Sequence, residues 1–144
     1  MKTTLVLFLF TIAALLIACD KDKFETKPRI EVKDYSSQIV PNNGTVVIRV
    51  NYFDKEGDLG TGQLYVYRDR LNLRPGDQNR ADTFRYQLPE FTNREQGEIR
   101  IQFTADELTE SSIENDTLRF KIAVTDLANN HSDTITTENL VILE

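Results

Sequence analysis

Short runs in which apolar and polar residues alternate recur along the chain from about residue 29 to its end. Side chains of a strand point alternately to the two faces of its sheet, so this period of two predicts strands with one buried face. About seven such runs are present. Their predicted inward residues are Ile30 and Val32; Val46, Ile48, Val50 and Tyr52; Leu64 and Val66; Phe84, Tyr86 and Leu88; Ile99, Ile101 and Phe103; Leu118, Phe120, Ile122 and Val124; Ile135 and Val141.

Only one segment predicts a helix. Thr104-Ala105-Asp106-Glu107 has the spacing of a capping box, which indicates one or two helical turns over residues 105–112. About seven short strands separated by turn residues predict an all-β fold, a single antiparallel β-sandwich of the immunoglobulin or fibronectin III kind. A closed barrel stays open as an alternative, because the number of strands does not fix closure.

The first eighteen residues have a different pattern. Lys2 carries one positive charge, and the stretch from Leu5 to Ala18 is apolar except for Thr11. A charged start followed by a short apolar run is typical of a secretory signal peptide. The run is shorter than the about 20 apolar residues of a membrane-spanning helix, and four charged residues follow it at 20–23.

Leu16-Ile17-Ala18-Cys19 contains the only cysteine of the chain. It resembles the lipobox of bacterial lipoproteins, which implies cleavage between Ala18 and Cys19, a diacylglycerol thioether on Cys19 and a fatty acid such as palmitate on the new amine. Two or three acyl chains hold a domain stably on a bilayer, since each buried CH₂ contributes about 0.8 kcal/mol. An ordinary signal peptide followed by an unmodified cysteine is the alternative.

The residues after Cys19 bear on localisation. Asp20 resembles the inner-membrane retention signal of enterobacterial lipoproteins, whereas Lys21-Asp22 resembles a signal for display on the outer face of the outer membrane. We favour the outer-membrane, surface-exposed location over the periplasmic face of the inner membrane; a merely solvated tether is the third possibility. The predicted organisation is a signal peptide at 1–18, a lipidated, charged tether at 19–28 and one sandwich domain at 29–144.

The charge balance restricts the partners. The chain has 17 Lys and Arg against 23 Asp and Glu, a net charge of −6, and loss of Lys2 with the signal peptide leaves −7. An acidic surface argues against a nucleic-acid partner. The sequence also predicts no enzyme, because His131 is the only histidine, Cys19 is assigned to lipid, and no nucleophile elbow or phosphate-binding loop is present. The lipid anchor makes a membrane the first expected partner.

Two predicted loops are rich in acidic and amide side chains: Asp54, Glu56 and Asp58 follow the second run, and Asp126 and Asn129 follow the sixth. In an immunoglobulin-like sandwich these loops lie at the same end, where their oxygens could bind Ca²⁺. The EF-hand pattern fails, since Tyr65 occupies the position of its bidentate glutamate. The loops resemble those of cadherin-like modules in bacterial surface proteins, which implies a Ca²⁺-binding adhesion module. Tight turns without any cofactor are the favoured interpretation.

Tyr65 and Tyr67 point to the same side of the third predicted strand, opposite Leu64 and Val66. They are the candidate ligand-binding residues of a surface binding or assembly module whose partner is an envelope protein or a polysaccharide. The tyrosines could instead cover a second core face or pair across strands. A structural or accessory lipoprotein of an outer-membrane complex, or a spacer, is the alternative function. The basic stretch from Asp69 to Ala81 is predicted to be a solvated loop.

Overall fold

The computed structural model describes residues 26–144. The predictions for the signal peptide, for Ala18 and Cys19, and for most of the tether lie outside the described residues. The described chain forms nine strands and one short helix. In chain order these are β1 (Arg29–Tyr35), β2 (Ile39–Val40), β3 (Thr45–Phe53), β4 (Gln63–Arg70), β5 (Thr83–Gln87), β6 (Gln96–Thr104), α1 (Ala105–Leu108), β7 (Asp116–Thr125), β8 (Ile135–Thr136) and β9 (Leu140–Ile142).

The strands form two sheets. The smaller sheet has the order β1-β3-β6, and the larger has the order β2-β9-β7-β4-β5, with β8 paired to β7. All pairs are antiparallel except β2 with β9. Consecutive long strands such as β3 and β4 lie in different sheets, as in immunoglobulin-like sandwiches. The all-β sandwich prediction is therefore confirmed.

The core lies between the sheets and is built from the apolar positions of the alternating runs. In β3 every second residue from Val46 to Tyr52 is buried, and β7 buries alternate residues in the same way. Phe103 of the smaller sheet stacks on Phe120 of the larger one, with ring centroids 5.3 Å apart. Burying such a side chain contributes about 1.5–3 kcal/mol, and the whole core lies between Ile30 and Ile142. Every buried apolar residue of the described chain thus lies at or after Ile30.

The strand count differs from the prediction at the two ends of the chain. Strand β2 has only two residues, too few for a period to be recognised, and it pairs with β9 far along the sequence. The seventh predicted run is split into β8 and β9. Val141 was wrongly expected in the core: it is half-buried and points outward, whereas its neighbours Leu140 and Ile142 are buried.

Two other predictions need correction. Tyr86 is 41% exposed rather than buried, because β5 is an edge strand of the larger sheet. The capping box is confirmed: Thr104 Oγ1 accepts from the Glu107 amide, and the Glu107 carboxylate accepts from the Thr104 amide. The helix nevertheless ends at Leu108 instead of residue 112, since Thr109 takes an extended backbone.

The first strand begins beside the acidic loops. Arg29 pairs with Phe53, so the start of β1 lies next to the end of β3 and the loop that follows it. Lys27 donates to Asp133 at 2.8 Å, which fixes the entering chain to the loop after β7. The prediction that the first strand starts at the pole of the acidic loops is confirmed. We call this end, with loops 54–62, 88–95 and 126–134, the entry pole.

Within residues 26–144 there is no helix of the length and apolarity needed to cross a membrane.

Candidate functional site

The two acidic loops meet at the entry pole. The Leu127 amide donates to the Asp58 carbonyl at 3.2 Å. Gly62 lies so close to the end of β7 that an added Cβ would stand 2.2 Å from the Thr125 carbonyl oxygen. Glycine at this position therefore permits the close approach of the loops, as the sequence prediction of a shared pole requires.

Part of the acidic set has the turn-forming role that the sequence favours. Asp54 Oδ2 accepts from the Leu59 amide at 2.7 Å, and the Asp126 carboxylate accepts from both the amide and the side chain of Asn130. Asn129 and Gly57 have φ of 67° and 71°, the left-handed backbone that these residue types adopt most readily. The side chains of Asp54 and Asp126 thus close the turns.

The remaining oxygens of this cluster are less well satisfied. Asp54 Oδ1 and Asp58 Oδ1 are inaccessible to solvent and accept no hydrogen bond within the described chain. Asp54 as a whole is only 2% exposed. Burial raises the pKa of Asp58, and the charges of Asp126 and Asp54 raise it further. The negative charges of the three side chains therefore act on one another.

The other predicted metal ligands lie elsewhere on the same pole. Glu56 and Asn129 are exposed at the loop surfaces. In the described part of the chain, no group of three or more Asp, Glu, His or Cys side chains is arranged to hold a metal ion. The structure thus brings together three of the five predicted ligands, Asp54, Asp58 and Asp126. Two of their buried oxygens could accept a hydrogen bond or bind a cation.

The two candidate tyrosines lie on the solvent side of the larger sheet. We call this side of β4, β5 and β7 the outer face. Its positions follow from the strand register and are Gln63, Tyr65, Tyr67, Asp69, Thr83, Arg85, Gln87, Thr117, Arg119, Lys121, Ala123 and Thr125. Tyr67 is 42% exposed. Tyr65 is half-buried.

Cations flank both rings. The guanidinium of Arg85 lies over the Tyr65 ring, 5.0 Å from its centroid, and the Lys121 ammonium lies 5.4 Å from the Tyr67 centroid. Arg119 donates to Asp69 at 2.6 Å, and this contact lowers the pKa of Asp69. Neither ring belongs to the hydrophobic core formed by the described residues. The outer face is thus an open aromatic surface with charged neighbours.

A second surface, which the sequence did not indicate, is the cleft between β5 and β6. Both are edge strands, and the cleft between them has a volume of 410 Å³. Leu64, Tyr86, Leu88, Phe91 and Ile99 contribute to its lining. The cleft is marked by the exposure of Tyr86, a tyrosine that the alternation predicts to point inward. Nothing among the described residues identifies what would cover it.

The stretch that follows β4 is a largely exposed loop, as predicted, but the arginines at its two ends contact residues far along the chain. Arg70 binds the carboxylates of Asp116 and Glu114, and Arg80 donates to the Thr109 carbonyl at 3.2 Å. These contacts tie the loop to the segment after α1 at the end opposite the entry pole. These contacts could not be predicted, because the partners lie about 30 to 45 residues away in sequence and carry no local signal.

No protein-family model matches the chain, and no curated protein matches it significantly.

Proposed function

We propose that the mature protein is a lipid-anchored module of the cell envelope that binds its partner with the outer face. Cys19 carries the lipid, and the outer surface of the outer membrane is the favoured location. Tyr65 and Tyr67 are the central contact residues. The observation that carries the proposal is the exposure of Tyr67, with Tyr65 beside it, on a sheet face whose rings are not part of the hydrophobic core.

The position of the tether is compatible with this role. The described chain enters at the entry pole, at one end of the strands, whereas the outer face extends along the length of β4, β5 and β7. Residues 20–28 span roughly 30 Å when extended at about 3.3 Å per residue. A tether of this length would let a partner in the envelope reach the outer face.

The test compares two variants of the lipidated protein in intact envelopes, one double and one single. Tyr65→Ala with Tyr67→Ala removes the proposed contacts. Tyr86→Ala removes a matched ring that is 41% exposed but lies at the cleft. We expect the double variant to lose the component that co-purifies with the parent, and Tyr86→Ala to retain it. A component that both variants retain equally would contradict binding by the outer face.

The anchor itself is tested by mass. We expect the protein extracted from membranes to begin at Cys19 and to carry the added mass of a diacylglycerol and an acyl chain. A chain that retains Met1–Ala18, or an unmodified cysteine, would contradict the anchor. A stoichiometric membrane protein that co-purifies independently of the tyrosines would instead favour the accessory or spacer role.

A second candidate function, Ca²⁺ binding at the entry pole, has a specific observation in its favour. Two buried carboxylate oxygens, Asp54 Oδ1 and Asp58 Oδ1, lack a donor, and such groups cost free energy unless a donor or cation satisfies them. Millimolar Ca²⁺ should raise the melting temperature of the mature chain, and EDTA should reverse the rise. No rise at millimolar Ca²⁺ would exclude this function.

A further inference from the structure

The charges around Tyr65 and Tyr67 indicate the chemical class of the ligand. We propose that the outer face binds an acidic polysaccharide, one whose sugar units carry carboxylate or sulfate groups. The inference rests on the proposed function and adds the ligand class to it.

The outer face has a net positive charge. Three of its side chains are cations, Arg85, Arg119 and Lys121, and one, Asp69, is a carboxylate. The chain as a whole has a net charge of −6. A net positive patch on an acidic protein raises the local concentration of anions and disfavours other ligands.

Arg85 and Lys121 are less engaged in internal ion pairs than Arg119, which donates to Asp69 at 2.6 Å. Within the described residues Arg85 makes no salt bridge, and its guanidinium lies over the Tyr65 ring. Lys121 lies 3.7 Å from Asp69, whose carboxylate is already bound more closely by Arg119. On the outer side of the smaller sheet, Lys33 and Arg100 both pair with Glu98.

The polar surroundings of the two rings favour a polysaccharide over a protein as the ligand. Protein partners bury about 800 Å² on each side around an apolar centre. Here the two rings are surrounded by polar or small side chains such as Gln63, Thr83 and Ala123. Tyr65 and Tyr67 are two residues apart on one strand, about 7 Å, and form a narrow aromatic row with cations at its sides. Such a row suits an extended chain of sugar rings that bears acidic groups.

The experiment titrates the mature chain, residues 19–144 with Cys19→Ser so that no lipid is attached, by calorimetry at low salt. The probes are polygalacturonate, as the acidic polymer, and dextran, as a neutral one. We expect binding of polygalacturonate only, weakened as salt rises because screening acts on exposed charges. Tyr67→Ala should weaken it roughly tenfold, and Arg85→Gln or Lys121→Gln roughly threefold to tenfold. Arg100→Gln, on the opposite face, is the matched control and should bind as the parent does.

The outcomes separate this inference from the proposed function. Tyrosine-dependent binding of dextran as tight as that of polygalacturonate would overturn the acidic class and leave the binding face standing. Tyrosine-dependent retention of an acidic envelope protein, with neither polymer bound, would overturn the polysaccharide and again leave the face. Polygalacturonate binding that Tyr67→Ala, Arg85→Gln and Arg100→Gln reduce equally would overturn the inference, because general charge alone would then explain it.

Discussion

Arg68 occupies an inward position of β4, in line with Leu64 and Val66, and its side chain is fully buried. Its guanidinium donates to the Leu108 carbonyl at the end of α1 and binds the carboxylate of Glu110. The alternation of β4 could be predicted from the sequence, but this role could not, because the partners lie about 40 residues away. Burial of a cation at this apolar position depends on partners that only the folded chain brings next to β4.

Replacing Arg68 by Met should strongly destabilise the fold. The change keeps an apolar stem of similar length but leaves the Glu110 carboxylate and the carbonyls of α1 without their donor. We expect a loss of about 2–4 kcal/mol in the free energy of unfolding, measured by urea denaturation. Arg94→Gln is the control, since its pair with Glu90 is exposed and should contribute below about 1 kcal/mol. Similar losses in both variants would contradict the account.

The pH dependence of Asp58 tests the electrostatics of the entry pole. Its folded pKa is raised above the unfolded value of 3.8, so ionisation of Asp58 opposes folding above the folded pKa. That cost disappears as the pH falls through the folded pKa toward 3.8. In EDTA, Asp58→Asn should therefore be more stable than the parent at pH 7, and the gain should shrink on acidification. Urea denaturation from pH 7 to 3.5 measures it, and a constant gain would exclude charge as the cause.

At the scale of elements, β6 shows how the smaller sheet protects its free edge. The strand pairs only with β3, so its other side presents unpaired backbone groups. Glu98 and Arg100 alternate along it with Ile99 and Ile101. Charged side chains on an edge strand oppose pairing with another chain. The alternation could be read from the sequence; which strand becomes an edge depends on the order of the sheet.

Glu98→Val combined with Arg100→Val should promote aggregation without loss of the fold. The changes create a continuous apolar edge of high β propensity. We expect faster growth of light scattering at unchanged circular dichroism. Arg49→Val with Asn51→Val makes the same change on β3, which is paired on both sides, and should aggregate more slowly. Equal rates in the two double variants would show that edge charge is not the protective feature.

The limits of prediction at this scale are physical. Long strands with strict alternation, such as β3 and β7, could be placed from their period alone. Strands β2 and β8 have two residues each, so they exist only through pairing with distant segments. The capping box gave the start of α1, since the start is encoded locally. Its early end coincides with Arg68 binding the last helical carbonyls, which local sequence does not encode.

At the scale of the molecule, three surfaces are distinguished by charge and by position. The entry pole gathers Asp54, Asp58 and Asp126, the cleft lies between two edge strands, and the outer face combines tyrosines with cations. The shared pole and the shared direction of Tyr65 and Tyr67 could be predicted from the fold class. The positive character of the outer face could not, because Arg85, Arg119 and Lys121 lie on two strands whose order the sequence leaves open.

The most direct test of the account is a map of ligand contact on the mature chain. Backbone amide shifts measured by nuclear magnetic resonance during a polygalacturonate titration would locate the binding surface. The account predicts the largest shifts on the outer face, around Tyr65, Tyr67, Arg85 and Lys121. The largest shifts at the cleft between β5 and β6, or no shifts at saturating polymer, would contradict the outer face as the binding site.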